Sequence, residues 1–165
     1  EDEIRLLVMG KHDEKLGSHI GSRLESVVRT MHRPILVTTP TFKPPEKIMI
    51  AFDGSETTRK GVEMVAGSPL FRGLPCHVVM SGDENDKNRE HLQWARQTLE
   101  GAGFEAVTAL LQGETERMLC DYRCDHDIDM VVMGAYGHST IRRFLVGSTT
   151  TNMLRGASVP VLLLR

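Results

Sequence analysis

Glycines and small hydroxyl residues in the last third of the chain have the types and spacing that suit an anion site. The apolar run of residues 130–133 stops at Gly134, Gly137 follows, and after nine more residues Gly-Ser-Thr at 147–149 opens a helical segment. This pattern predicts a strand that leads through a glycine loop to a helix N-terminus. Glycines allow close backbone approach, and the free N–H groups of a helix start point at negative charge. We therefore predict a phosphate site.

Composition limits the classes of partner. Hydrophobic residues make up 40% of the 165 residues, charged residues 25%, and the formal net charge is −2. This balance gives no general attraction to nucleic acid or to an anionic membrane, so we expect neither as a partner, and the anion site must be local. No apolar run approaches the length of a membrane span. The three cysteines are too few for a disulfide framework, and a reducing cytoplasm fits them best.

Strands and helices alternate through residues 47–165. Apolar strands are predicted at 47–52, 76–80, 105–111, 130–133 and 159–164, with helices at about 57–66, 85–99 and 114–122. The alternation predicts an α/β fold, a doubly wound five-stranded parallel sheet with helices on both faces. The order 3-2-1-4-5 would place the ligand-binding switch point between the first and fourth strands. Asp53 and Gly134 stand at those two strand ends.

An internal repeat relates the start of the chain to its end. Residues 3–10 align with residues 127–134, each ending in Met-Gly. A loop then leads to Gly-Ser in both copies, and a helix-length segment leads to Pro and an apolar strand, at Pro34 and at Pro160. The same order of features at nearly the same spacing predicts two copies of one structural unit.

We interpret residues 1–40 as the C-terminal part of a degenerate first domain, 41–46 as a Pro-containing linker, and 47–165 as a complete second domain. Because no initiator Met is present, we expect the chain to begin inside a longer parent. The loop of the first copy lacks an equivalent of Gly137 and carries Asp13 and Glu14. Like charge would repel phosphate there, so only the second copy is expected to bind the ligand.

Two separated motifs carry a family resemblance. The first is Ile48-x-x-Ala-x-Asp-Gly-Ser at the first strand end, and the second is Gly134-x-x-Gly, nine residues, then Gly147-Ser148. Together they resemble the ATP-binding branch of the universal stress protein family. The resemblance covers residues 47–165 and the partial copy at 1–40, so a tandem member with an incomplete first domain is implied.

The resemblance implies a site for ATP, ADP or AMP. Asp53 would contact the adenosine part, the loop glycines would pass the ribose and phosphates, and the helix start would hold the phosphates. Ser81 would lie near the adenine edge, although Ser81-Gly82 departs from the usual pattern of the family. A triphosphate usually brings Mg²⁺, held by phosphate oxygens and a hydroxyl such as that of Ser148. The implied binding residues are Ala51, Asp53, Ser81, Met133, Gly134, Gly137, His138, Gly147, Ser148 and Thr149.

Each of these residues also has a purely structural interpretation. Asp53 can be a turn and N-cap residue before the first helix, and the glycines can serve turn geometry alone. Cys120 and Cys124 share a helix face with His126 nearby, but a zinc site lacks a clear fourth ligand, so core or near-surface thiols are favoured. No metal site within the protein is therefore expected, and no catalytic residue is assigned.

The expected function is a nucleotide-binding module for stress signalling or regulation. Its alternatives are an interaction module that needs no nucleotide, and a slow ATPase. Against a fast ATPase stands the lack of a Walker lysine or water-positioning base beside the glycine loop. The last strand, residues 159–165, is expected to pair with its equivalent at 34–39, in an intrachain pseudo-dimer or a homodimer.

Overall fold

The computed structural model describes residues 6–10, 27, 30, 33–41, 43–134 and 158–164. Within these residues one mixed sheet contains seven strands in the order β1-β2-β7-β6-β3-β4-β5. Their bounds are β1 (Leu7–Gly10), β2 (Ile35–Thr38), β3 (Ile48–Ala51), β4 (Cys76–Ser81), β5 (Ala106–Leu111), β6 (Met130–Gly134) and β7 (Val161–Leu164).

Helices whose bounds fall within the described residues cover the sheet on its two faces: α1 (Glu56–Gly67), α2 (Asp86–Gly101) and α3 (Thr115–Asp125). Each begins at a polar N-cap whose side chain accepts backbone N–H groups: Ser55, Asn85 and Glu114 respectively. The inward residues of α1 and α2 pack in one core, whereas those of α3 pack in the other. The predicted α/β, doubly wound architecture is therefore confirmed.

The order of strands within residues 47–165 is the predicted one. Read from the far edge, β5-β4-β3-β6-β7 corresponds to 3-2-1-4-5, and all four pairings in this part are parallel. The prediction of five strands is wrong for the sheet as a whole, because β2 adds to β7 antiparallel and β1 adds to β2. An apolar strand at an open edge gains backbone hydrogen bonds by such an addition.

The register of the strands reproduces the sequence repeat. Leu7 on β1 pairs with Ile35 on β2, and the aligned residue Val131 on β6 pairs with Val161 on β7. At the antiparallel junction Leu36 on β2 pairs with its own equivalent, Leu162 on β7. The expected pairing of these two segments is thus present within one chain, about a local two-fold axis.

The two copies differ in how well their outer strands are covered. Val132 on β6 is fully buried between β3 and β7 and beneath helices. Its equivalent on β1, Val8, is 57% exposed, and Leu6 on the same side of the strand is 38% exposed. Within the described residues, β1 therefore has an open edge and an open apolar face.

Close packing of α1 on the sheet depends on one glycine. Gly61 is buried in the middle of α1, and a Cβ there would lie 3.4 Å from Cγ of Leu164 on β7 and nearer still to Cδ1. The missing side chain lets the helix backbone approach the end of β7. This contact ties α1 to the strand that also carries the junction with β2.

Candidate functional site

The carboxyl ends of β3 and β6 lie side by side at the centre of the sheet. Ala51 pairs with Met133 across the two strands, and both side chains are buried, in a cluster that also contains Val79 of β4. Asp53 and Gly134 follow directly. Because β3 separates β4 from β6, this is the predicted point of strand-order reversal, where α/β proteins bind ligands.

Asp53 organises the turn between β3 and α1. Its Oδ1 accepts a hydrogen bond from the backbone N–H of Ser55 at 2.9 Å and one from the hydroxyl of Thr58 at 2.7 Å. The hydroxyl of Ser55 in turn accepts from the backbone N–H of Thr58 at 3.3 Å, which makes Ser55 the N-cap. Asp53 therefore has the turn role of the structural interpretation, while Ser55 caps the helix. A half-buried carboxylate that is held in this way can still accept hydrogen bonds from a ligand.

Gly134 brings the end of β6 against the start of α1. A Cβ on Gly134 would lie 3.5 Å from the methyl group of Thr58 and 3.6 Å from that of Thr57. The Asp53 turn, the first turn of α1 and Gly134 therefore meet at one place. A carboxylate acceptor, a helix start and a bare strand end together can hold a polar ligand that carries hydroxyl groups and negative charge.

Ser81 is the last residue of β4 and lies at the same edge of the sheet. It stands two residues beyond Val79, which pairs with Ala51, and its hydroxyl accepts a hydrogen bond from the hydroxyl of Thr115 at 3.1 Å. Five of the predicted residues are thus brought to one edge: Ala51, Asp53, Ser81, Met133 and Gly134. The other five lie outside the described residues: Gly137, His138, Gly147, Ser148 and Thr149.

A cluster on α1 and α2 holds the Asp53 turn from the side, and the sequence interpretation missed it. Arg59 of α1 donates from Nε to the carbonyl of Gly54 at 3.2 Å, and its guanidinium lies 4.4 Å from the ring centre of Trp94 on α2. The Trp94 ring also stacks on Phe52, with centroids 6.2 Å apart. His91, one turn before Trp94, lies against Gly54. The sequence signal for this cluster was the three-residue spacing of His91 and Trp94, which lie beside the apolar stripe of α2.

A second cluster lies at the opposite end of the sheet. His77 on β4 is buried, and its Nδ1 is 2.9 Å from the hydroxyl of Tyr122 on α3. His126, after α3, lies with its ring centre 4.0 Å from that of Tyr122 and 5.3 Å from that of His77. Burial lowers the pKa of His77, and the nearby charges of His126 and Lys47 lower it further, while Glu105 opposes them.

The lowered pKa of His77 predicts that mild acid destabilises the fold. The unfolded chain takes up a proton on His77 near pH 6.5, whereas the folded chain does so only at lower pH, so stability is lost as the pH falls below 6.5. Urea unfolding between pH 5.5 and 7.5, a range chosen to lie above the usual carboxyl pKa values, should give the larger free energy at the upper end.

Variants measure how much of this loss of stability on acidification is due to His77. His77→Gln keeps a hydrogen-bonding partner for Tyr122 and should show a smaller loss on acidification than the wild type. His126→Gln removes one of the charges that lower the pKa of His77, so its loss on acidification should lie between those of His77→Gln and the wild type. A stability that stays flat or rises as the pH falls through this range would contradict the burial of a neutral His77.

Cysteines and acidic residues form no recognisable metal centre in the described residues. Cys76 is buried, and burial raises its pKa to about 12, while Cys120 is half-buried and Cys124 is exposed. In the ranges that the structure describes, no three His, Cys, Asp or Glu side chains cluster closely enough to hold a metal ion.

Of the helices described, none has the length and apolar content to cross a bilayer.

Comparison with solved structures agrees with this architecture. A universal stress protein from Archaeoglobus fulgidus DSM 4304 superposes with a TM-score of 0.76 at 18% identity, over 98% of this chain and 61% of that one. A second one from Archaeoglobus fulgidus, in complex with dAMP, gives a TM-score of 0.57 at 25% identity, over 74% of this chain and 100% of that one. At 18% identity, the likeness to the first of these structures shows the fold alone.

Sequence comparison identifies the family. Universal stress protein Slr1230 of Synechocystis sp. is 38% identical over 165 residues, which cover 97% of this chain and 58% of that protein. This chain therefore spans less than two thirds of that relative. The model of the universal stress protein family matches residues 45–165, the part that contains β3 to β7 and the meeting point of Asp53 and Gly134. The chain belongs to the universal stress protein family.

Proposed function

We propose that this chain is an adenine nucleotide binding module that acts in stress signalling or regulation. The observation that carries the proposal is the meeting of the Asp53 carboxylate, the start of α1 and Gly134 at the ends of β3 and β6. This place is the switch point of a doubly wound sheet. ATP, ADP and AMP share the adenosine group that such a place can recognise.

The chemistry of the residues fits an adenine nucleotide. Asp53 accepts hydrogen bonds from the ribose hydroxyls or the adenine amino group, and Ala51 and Met133 form the apolar floor beside it. The Gly-Ser-Thr motif at 147–149, with Gly137 and His138, holds the phosphates through backbone N–H groups and hydroxyls. Mg²⁺ accompanies a triphosphate, bound by its oxygens and the hydroxyl of Ser148.

Ligands of solved family members support this proposal. Besides the dAMP complex from Archaeoglobus fulgidus, a universal stress protein has been solved in complex with cAMP, and one from Arabidopsis thaliana with AMP bound. All three ligands contain adenine with a ribose or deoxyribose and at least one phosphate. They match the acceptor and anion chemistry of the predicted residues.

Asp53→Asn tests the adenosine end of the site. The amide keeps one oxygen to accept from Ser55 and Thr58, but loses the charge that strengthens hydrogen bonds to a ligand. We expect AMP and ATP to bind about 10-fold to 100-fold more weakly by isothermal titration calorimetry, since a hydrogen bond to a charged group contributes about 1.5 to 3 kcal/mol.

The control for this experiment is Asp125→Asn, an exposed carboxylate on the last residue of α3, at the other end of the sheet. It removes the same charge and should leave the affinity unchanged. Absence of binding by AMP, ADP and ATP to the wild type at millimolar concentration, by calorimetry and by thermal shift, would overturn the proposed function.

The second candidate is an interaction module that needs no nucleotide, and the open edge of β1 favours it. Within the described strands β1 lies at the edge of the sheet with Val8 exposed, and both are features of a strand that adds another strand. Under this alternative, Val8→Lys abolishes partner binding while nucleotides have no effect. Under the first proposal, nucleotide binding is independent of Val8.

The domain proposal is that residues 1–40 end an incomplete first domain, 41–46 link it, and 47–165 form the complete one. It is supported by the equal register of β1–β2 and β6–β7 and by contacts that fix the end of the linker. Asp129 Oδ2 accepts the backbone N–H groups of Glu46 and Lys47 at 3.0 and 3.2 Å. In this arrangement the β2–β7 junction makes an intrachain pseudo-dimer.

A further inference from the structure

The imidazole of His91 packs directly on the backbone of the Asp53 turn. Gly54 has a φ of +75°, and a Cβ there would lie 2.8 Å from Cγ of His91 and nearer still to Nδ1. The ring therefore occupies the space in which any other residue at position 54 would place its side chain. The contact is made by the Nδ1 edge of the planar ring, which packs closely on the backbone of the turn.

The same ring carries a polar atom that the described residues leave unsatisfied. His91 Nδ1 is buried and has no hydrogen-bond partner among the residues that the structure describes. An unsatisfied buried nitrogen is destabilising, and a leucine at this position would avoid that cost. An unsatisfied buried group in a native protein calls for an explanation, and a role in a functional site is one such explanation.

His91 also belongs to a set of contacts that converge on one turn. Arg59 donates to the carbonyl of Gly54, Trp94 stacks beneath Arg59, and both aromatic residues of α2 flank the turn from one side. On the other side the turn is held by the bonds to Asp53 Oδ1. The position of the carboxylate is thus set between α1 and α2, and moving the turn moves the carboxylate.

We propose that His91 is a positioning residue of the nucleotide site, which acts through Gly54 to hold the Asp53 carboxylate at the end of β3. This inference rests on the proposed function, since it concerns the same site. His91 touches the turn rather than the ligand. Its neutral form suits the role, because burial and the positive charges of Arg59 and Lys87 lower its pKa, against the opposing charges of Glu90 and Asp53.

The test in the nucleotide-free protein is hydrogen exchange at the Ser55 amide, which donates to Asp53. In His91→Ala we expect exchange there to be about tenfold faster, with the slowest amides of β3 unchanged. His91→Asn, which keeps Cγ and places an amide atom where Nδ1 stands, should restore slow exchange. Gln93→Ala, at an exposed position on α2, is the matched control and should have no effect. Unchanged Ser55 exchange in His91→Ala would overturn the proposal whether or not nucleotide binds.

The test with ligand compares AMP with inorganic tripolyphosphate. His91→Ala should weaken AMP binding about tenfold, within the usual range for coupled neighbouring residues, and leave tripolyphosphate affinity unchanged. His91→Asn should recover most of the AMP affinity. If the wild type binds AMP and His91→Ala binds it equally well, the positioning role is wrong while the proposed function stands. If the wild type binds no nucleotide, the proposed function fails, and a role of His91 in a nucleotide site fails with it.

Discussion

Gly54→Ala is expected to lower the free energy of unfolding by about 2 to 5 kcal/mol. Gly54 adopts a φ of +75°, which disfavours a residue with a Cβ by about 1 to 2 kcal/mol. The new methyl group would also overlap the His91 ring, and overpacking of this kind costs about 1 to 3 kcal/mol more. Urea unfolding monitored by circular dichroism measures the sum.

Two further variants separate the two contributions. Gly73→Ala places a methyl group at φ +85° on an exposed turn with no atom within 4 Å among the described residues, so it reports the backbone term alone. In the double variant Gly54→Ala with His91→Ala, the overlap is gone. The free energy lost relative to His91→Ala alone should therefore equal that lost by Gly73→Ala relative to the wild type. Equal losses for Gly54→Ala and Gly73→Ala in the wild-type background would contradict the close contact.

Leu162→Ala is expected to be similarly damaging, by about 2 to 5 kcal/mol, as for other fully buried leucines. Leu162 is 3% exposed, lies in the core beneath α1, and stands at the antiparallel junction of β7 with β2. Truncation leaves a cavity that the packed sheet and helix fill only in part. Thermal and urea unfolding of the variant measure this loss.

The repeat supplies the control for this experiment. Leu36 is the equivalent residue in the first copy and pairs directly with Leu162, yet it is only half-buried, on a face of β1 and β2 that is open among the described residues. Leu36→Ala should therefore cost clearly less than Leu162→Ala. The two substitutions are measured separately, since residues in contact are not additive. A loss at Leu36 equal to that at Leu162 would show that the open face is covered in solution.

The fold is predictable where the sequence pattern is strong and local. The apolar runs at β3, β4 and β6 and the stripe of Leu92, Ala95 and Leu99 on α2 are each explained by burial. The switch point follows from strand order, which is why the sequence predicts Asp53 and Gly134 at one edge of the sheet. The seven-stranded extent does not follow in the same way, because the pattern within residues 47–165 does not show how many strands from outside that range join the sheet at β7.

The side-chain clusters at the two ends of the sheet are harder to predict because they join distant residues. His77 and Tyr122 are 45 residues apart, and their hydrogen bond depends on how α3 crosses β4. His91 meets Gly54 only through the packing of α2 beside α1. The spacing of His91 and Trp94 places both beside the apolar stripe of α2, but the turn that they contact is specified by tertiary packing, which a linear pattern does not encode.

The antiparallel junction between β2 and β7 gives the two glycine ends of the repeat opposite orientations. Gly10 ends β1 near the beginning of β7, whereas Gly134 ends β6 beside Leu164, at the end of β7. Along the strand direction the two ends are roughly 13 Å apart, and the three strand steps from β1 to β6 separate them by roughly a further 14 Å across the sheet. The two glycine ends therefore lie at opposite edges of the sheet. A shift of β7 along its length would act directly on β2 through the backbone hydrogen bonds of the junction.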